Sequence, residues 1–422
     1  MAYVSHLRCL TCEAEFPAST VMNLCPRDHQ PVEIVHDLAS VRATLGPQGW
    51  WRPDRRNLWR FGALLPLDYD NEADRASIVC LGEGCTPEIP IEHESFKKLG
   101  IRLAIKDEGK PHPGFGHNPT LSFKDRGMAM TVSMARLAGL SHLAVPTQGN
   151  AGDALAAYAL AGGLRATIVM SPDTDVAVLG NVARLAALHP KSITLTLVPG
   201  TIVDCGRYVR EVLVPQGAFS VATFQEPGWR IEGKKTLGLE MAEPRGTSGP
   251  DARWRLPDVI VYPTGGGTGV LGMAKAFREL EALGLVGSDR PRMVCVQSEA
   301  TPPLVRAFEA GLDPVPAVSP GSTIATGLNV AGNVAHPHVL RVVRESGGVC
   351  IAVNDTAIRS AMREVWNAHR FALSPEGAAT FAAMPELIDR RVIEPGHRVV
   401  LVNTAAAEKY LATTRDEFDG GL

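Results

Sequence analysis

From residue 78 onward, short apolar runs alternate with helical stretches, and this alternation narrows the fold more than any other feature of the chain. The runs fall at 103–105, 143–145, 166–170, 193–198, 259–261, 293–296 and 399–402, with helical patterns such as 151–160 and 270–283 between them. Strands this short and apolar belong to parallel sheets covered by helices on both faces. Ligands of such sheets sit beyond the carboxyl ends of the strands, so the loops after the runs are where chemistry is expected. A chain of 422 residues can form more than one compact unit. Its net charge of −3 offers no basic field for nucleic acid. No uninterrupted run of eighteen apolar residues appears, and residues 1–8 lack a signal-peptide core. Eight cysteines in so long a chain do not form a disulfide framework, so a reducing cytoplasm is expected.

Three loops stand out. The first is Asn118-Pro119-Thr120-Leu121-Ser122-Phe123-Lys124-Asp125-Arg126-Gly127. Pro119 bars an early helix, Ser122 is a suitable N-cap, and helix formers follow from Lys124 to Arg136. A lysine in a first helical turn meets the positive end of the dipole, which eases loss of its proton and favours a nucleophilic amine. The second is Pro263-Thr264-Gly265-Gly266-Gly267-Thr268-Gly269, between a strand and a helix. Successive glycines let backbone N–H groups converge on an anion such as phosphate. It is neither a Walker A loop nor Gly-x-Gly-x-x-Gly; a flexible turn is the alternative. The third, Thr147-Gln148-Gly149-Asn150-Ala151-Gly152, also joins a strand to a helix, and Asn150 could simply cap that helix.

The Lys124 loop resembles the Schiff-base loop of fold-type II pyridoxal phosphate enzymes, and most closely that of the threonine synthase family, Asn-Pro-Thr-Gly-Ser-Phe-Lys-Asp-Arg-Gly. Only Leu121 departs from it. Leu81-Gly82-Glu83-Gly84-Cys85-Thr86-Pro87, Trp229-Arg230-Ile231-Glu232-Gly233-Lys234-Lys235-Thr236 and Ser374-Pro375-Glu376-Gly377-Ala378-Ala379 are similar to further family elements, in order along the chain. The resemblance implies pyridoxal 5'-phosphate bound covalently by Lys124, with its phosphate on Gly265, Gly266, Gly267, Thr268 and Gly269. It implies that Asn150 contacts the cofactor's phenolic oxygen and Thr404 its pyridine nitrogen. It places the substrate carboxylate at Thr147, Gln148 and Gly149, with Gln148 standing where the family has serine. It also implies a tryptophan synthase β-like fold: two α/β domains with parallel-rich sheets. The domains are expected at 37–130 with 193–422 (large, cofactor-binding) and 131–192 (smaller). A homodimer acting on a small amino acid is expected.

The implied reaction converts O-phosphohomoserine and water to threonine and phosphate. The leaving-group subsite departs from the family pattern. Gly200-Thr201-Ile202-Val203-Asp204 has Thr201 for asparagine, Arg207 keeps the family's arginine, and Glu226-Pro227-Gly228 replaces a second asparagine segment. A carboxylate facing that subsite would repel a phosphate dianion. The rival readings are a cysteate synthase-like or threonine dehydratase-like enzyme, and a cofactor-binding regulatory protein without turnover. Retention of Lys124, Asn150 and Thr404 argues against the last.

Residues 1–36 stand apart as a zinc-ribbon-like segment. Cys9-Leu10-Thr11-Cys12 and Cys25-Pro26-Arg27-Asp28-His29 resemble two knuckles, the second lacking its fourth cysteine. Structural zinc held by Cys9, Cys12, Cys25 and His29 is expected, with Asp28 as the alternative fourth ligand; a degenerate ribbon without metal is the bland reading. Cys80, Cys85, Cys205, Cys295 and Cys350 read as buried inert thiols. The histidines form no His-x-x-x-His metal pair and read as surface or satisfied core residues, with His112 and His117, near the Lys124 loop, as the two that could reach it.

Overall fold

The computed structural model describes residues 1, 3–46, 48–244 and 253–418. Among these, the strands are β1 (Val4–Cys9), β2 (Glu15–Pro17), β3 (Val32–His36), β4 (Glu88–Pro90), β5 (Arg102–Asp107), β6 (His142–Pro146), β7 (Arg165–Met170), β8 (Ile193–Leu197), β9 (Phe219–Ser220), β10 (Val259–Pro263), β11 (Arg292–Ser298), β12 (Cys350–Val353) and β13 (Arg398–Asn403). They form three sheets within two compact units.

The first unit comprises Met1–Cys85, Asn118–Thr236 and Ala282–Gly284. Its larger sheet has the order β8-β7-β6-β9, every pair parallel. The apolar faces that predicted buried strands pack as expected: Ala144 and Val169 meet Cys205, Val209 and Leu213 from the segment beyond β8. The second sheet, β2-β1-β3, is antiparallel and belongs to the N-terminal segment.

The second unit comprises Thr86–His117, Leu237–Glu281 and Leu285–Leu422. Its sheet has the order β12-β11-β10-β13-β5-β4 and is parallel except for the edge strand β4. Ile105, Val261, Val296 and Leu401 are fully or almost fully buried in one core with Ala378, Ala379 and Met384.

The units are drawn at other boundaries than those expected. The expected large domain takes in 193–422, which holds β8 and β9, yet these strands pair with β7 and β6. Periodicity marks a strand but not its partner, because register between distant strands is a non-local property. No helix among the described residues is long and apolar enough to cross a membrane.

Candidate active site

Lys124 opens the helix Lys124–Leu137. The N-cap is Phe123, with no side-chain cap bond, rather than the expected Ser122. Ser122 is fully buried and its hydroxyl finds no partner among the described residues. Asp125, in the first turn, instead reaches back to tie the loop, accepting from the Thr120 N–H at 2.7 Å and the Thr120 hydroxyl at 2.5 Å. Asp125 is fully buried, so these charge-assisted bonds act in a low dielectric, where they are strong. Leu121 has φ +58, in the left-handed region. The family's glycine at this place is thereby accounted for. Leucine holds the same turn, closed by Leu121 N–H to Asn118 C=O at 2.8 Å, at a cost of about 1–2 kcal/mol.

The amine loop is braced at two places within the first unit. Asn118 Oδ1 accepts from the Gly84 N–H at 3.3 Å. Next to Gly84, Glu83 is fully buried and accepts from Trp59 Nε1 at 3.0 Å and from the Tyr158 hydroxyl at 2.9 Å. Burial pushes the Glu83 carboxyl above its ordinary range despite these donors. The second brace is the helix Trp229–Ala242. An added Cβ at Gly233 would collide with the Arg126 carbonyl, so the two helices touch backbone to backbone there. Lys234 Nζ donates to the Phe123 carbonyl and lies 3.7 Å from the centroid of its ring. Arg126 donates to the Thr236 hydroxyl at 3.0 Å, both side chains being fully buried. The 229–236 motif, whose role spacing alone does not reveal, thus seats the lysine loop. Lys124 Nζ stands 4.5 Å from the Phe123 ring centroid and is half-buried.

Beyond β6, Thr147 Oγ1 accepts from the Gly149 N–H at 3.1 Å. Gly149 is the N-cap of the helix Asn150–Ala161, so Asn150 is its first residue and does not cap it. Gln148, Gly149 and Asn150 are all half-buried. An added Cβ at Gly152 would come within 2.6–2.8 Å of Thr147, Ile168 and Met170, which keeps the helix start close to the strand ends.

The expected leaving-group residues are engaged elsewhere. Thr201 forms a capping box with Asp204 at the start of the helix Ile202–Tyr208. Arg207 is exposed and pairs with Asp204 at 2.7 Å. Bonds from Thr201 hold the Asp204 carboxyl below its ordinary value. Glu226 is turned inward and fully buried. One oxygen accepts from the Arg230 N–H at 3.1 Å, and the other has no partner among the described residues. Burial raises the Glu226 carboxyl to about 7, against the attraction of the Arg230 guanidinium.

In the second unit the glycine loop follows β10 and feeds the helix Thr268–Ala282. A Cβ at Gly265 would strike the Gly327 carbonyl, and one at Gly267, where φ is +88, would strike Val339. The loop is therefore closed to side chains on that side. The first-turn N–H groups of the helix that follows have no intrahelical acceptor and attract an anion. His336, unremarked in the sequence, bonds through Nε2 to the Gly265 carbonyl at 2.9 Å, and burial lowers its proton affinity. A neutral imidazole donating from Nε2 fits that contact. Thr404 is buried just past β13. Its neighbour Asn403 accepts from the Ser374 hydroxyl at 2.9 Å and donates to Asp107 at 2.8 Å. Asp107 in turn meets His112 Nε2 at 2.7 Å. Thus Ser374, quoted in the sequence only as part of a motif, buttresses the strand end that carries Thr404. These residues fit a phosphate-bearing cofactor: the glycine loop ends at a helix start, whose N–H groups attract an anion, and a buried threonine stands at a strand terminus. Lys124 and Asn150 belong to the first unit, the glycine loop and Thr404 to the second.

In the N-terminal segment Cys9, Cys12, Cys25 and Asp28 converge, every pair of ligand atoms lying within 4.8 Å. His29 is not in this group, which corrects the expected fourth ligand. Two residues three apart converge across a knuckle turn, as Cys9 and Cys12 do; Asp28 stands in that relation to Cys25. His29, one further on, has φ +56 and donates its N–H to the Cys25 carbonyl at 2.9 Å. Of the remaining cysteines, Cys205, Cys295 and Cys350 are buried as expected, while Cys80 and Cys85 are half-buried.

The model of the pyridoxal-phosphate dependent enzyme family matches residues 79–405. A threonine synthase of Methanosarcina acetivorans is 29% identical over 403 residues, covering 94% of this chain and 91% of that protein. One from Mycobacterium bovis is 30% identical over 326 residues, covering 77% and 82%. Among solved structures, O-ureido-L-serine synthase (a K43A mutant bound to O-ureido-L-serine) superposes with a TM-score of 0.62 at 19% identity, over 82% of this chain and 95% of that one. Maize serine racemase gives 0.59 at 20% identity, over 79% and 94%. At these identities the structural likeness speaks for the fold.

Proposed function

Because the chain belongs to the pyridoxal-phosphate dependent enzymes, among the relatives of threonine synthases, we propose that it is a lyase acting on a four-carbon amino acid activated at Cγ, of which O-phosphohomoserine is the prototype. The bound cofactor supplies an electron sink for the substrate's Cα. Lys124 would hold the cofactor and, once released, take protons from Cα and Cβ and return protons at Cγ and Cα, while water adds at Cβ and the leaving group departs from Cγ. The 265–269 loop would bind the cofactor phosphate. Thr404 would meet the ring nitrogen as a neutral hydroxyl, and Asn150 the phenolic oxygen. Thr147, Gln148 and Gly149 would receive the substrate carboxylate.

The observation that carries this reading is the braced Lys124 loop. Asp125, Lys234, Gly233 and Thr236 act together to hold one amine at a helix start. A leaving-group pocket different from that of a standard threonine synthase is also part of the proposal. Thr201 is spent on a cap, and Glu226 takes the place of an amide donor. Losing a hydrogen bond to a charged group costs about 1.5–3 kcal/mol, or more than tenfold in affinity. A steady-state screen of activated amino acids, following phosphate, ammonia and threonine, tests both points. The expected result is a low kcat/KM for O-phosphohomoserine and a higher one for an analogue with another leaving group. Threonine formation from O-phosphohomoserine at a high kcat/KM, unmatched by any other substrate, would leave the lyase and remove the altered pocket. Ammonia without phosphate release would point to the dehydratase-like alternative.

A further inference from the structure

The N-terminal segment has two spaced pairs, Cys9/Cys12 and Cys25/Asp28, around a small buried cluster of Cys9, Ala14, Cys25 and Val32, flanked by Phe16 and Met22; Leu7 and Ile34 on its strands are buried as well. A small cluster ringed by paired ligand-type side chains is commonly held by a cross-link or a metal. The side-chain spacings discriminate between these. Cys12 Sγ and Cys25 Sγ are 3.7 Å apart, and Cys9 Sγ lies 3.4 Å from both Asp28 oxygens. Bond lengths of about 2.3 Å to sulfur and about 2.0 Å to oxygen in a tetrahedral zinc site require about 3.8 Å between sulfurs and about 3.5 Å between sulfur and oxygen. The observed spacings match both. A disulfide would need about 2.05 Å, and all the described cysteines are free. Outer contacts are also in place: the Thr11 N–H points at Cys9 Sγ at 3.4 Å, and the Gln30 N–H donates to Asp28 Oδ1 at 3.1 Å. Such donors orient ligands and offset thiolate charge.

The metal turn has a further attachment. Asn23, two residues before Cys25, donates through Nδ2 to the Ser220 carbonyl at 2.9 Å and the Gln225 carbonyl at 2.7 Å. An added Cβ at Gly228 would come within 3.1 Å of Val32 and Glu33 on β3. The segment thus grips 220–228 at both ends, and Glu226 lies between. We propose that Cys9, Cys12, Cys25 and Asp28 hold one structural zinc ion, and that this ion, through Asn23, fixes the 220–228 loop. The assignment of the metal does not depend on the catalytic reading above.

The test uses the full chain, purified without chelator. Elemental analysis should find about one zinc per chain, retained in His29→Ala and lost in Asp28→Ala and Cys25→Ser. Asp28→Cys, which completes a four-thiolate set, should slow zinc loss to a chelator by about tenfold or more. This variant keeps the proposal open to refutation if the others fail to fold. Asn23→Ala should keep its zinc yet speed amide hydrogen exchange in 220–228, as should zinc removal from the unaltered chain. Zinc below about a tenth of an equivalent, a Cys12–Cys25 disulfide in its place, or zinc lost on removing His29 but kept on removing Asp28 would overturn the site. Unchanged exchange in 220–228 after both treatments would overturn the coupling. None of these readouts requires turnover.

Discussion

The Lys124 loop and the 201–207 segment both belong to the first unit, and both carry residues that the family resemblance marks for chemistry, yet they are held in opposite ways. The Lys124 loop is fixed by residues far away in the chain: Gly84, Lys234, Gly233 and Thr236 all act on it. The 201–207 segment satisfies itself, with Thr201 and Asp204 capping one short helix and Arg207 folding back on Asp204. A site held by distant partners can keep a strained backbone, as Leu121 shows. A segment that uses its own polar groups for capping leaves fewer of them for a ligand. On the proposed function, the contrast would place catalytic precision at the amine and freedom to diverge at the leaving group.

Replacing Lys124 with alanine gives the largest expected effect. Turnover should fall by at least about a thousandfold, while cofactor still binds at the glycine loop, now removable by dialysis. Visible absorbance before and after borohydride reduction checks this, since the unaltered chain should become labelled on the peptide containing Lys124. Label on another lysine would break the comparison at its first term.

Gly233→Ala attacks the brace. Its methyl group would meet the Arg126 carbonyl, and overpacking of this kind costs about 3 kcal/mol. Urea unfolding should show a lowered midpoint, and kcat should drop with it. A variant as stable as the parent would mean that the helix contact does not hold the loop.

Glu226 supplies a pH test of similar or smaller size. Its carboxyl rises on folding from 4.5 to about 7 because it is buried, so between these values the folded chain holds a proton that the unfolded chain has released. Stability should therefore fall as pH rises through that window, by up to about 3 kcal/mol. Glu226→Gln cannot ionise, and its stability should not show that fall. The parent and the variant showing parallel pH profiles would place Glu226 in water instead.

The smallest effect is expected at Thr201→Ala. Loss of the cap should cost about 1 kcal/mol of stability, seen as a modest shift in thermal midpoint, with kcat/KM within about threefold. A tenfold or greater loss in kcat/KM without loss of stability would show that Thr201 serves a ligand, and the two regions would then be alike.

Much of this was legible in the sequence. The positions of β5–β8, β10, β11 and β13, the glycine loop after β10 and the lysine at a helix start follow from periodicity and turn chemistry, which act over a few residues; the shorter β2, β4 and β9, and β1, β3 and β12, do not stand out in the sequence. The rest was decided by the tertiary structure. Which sheet β8 and β9 join, that Phe123 and not Ser122 precedes the helix, that Asp28 and not His29 meets the three cysteines, and that Glu226 is buried beside Arg230 all depend on which backbones come together. A side chain's hydrogen-bond partners and its ionisation are set by neighbours distant in the chain and by exclusion of water, and neither is encoded in local spacing.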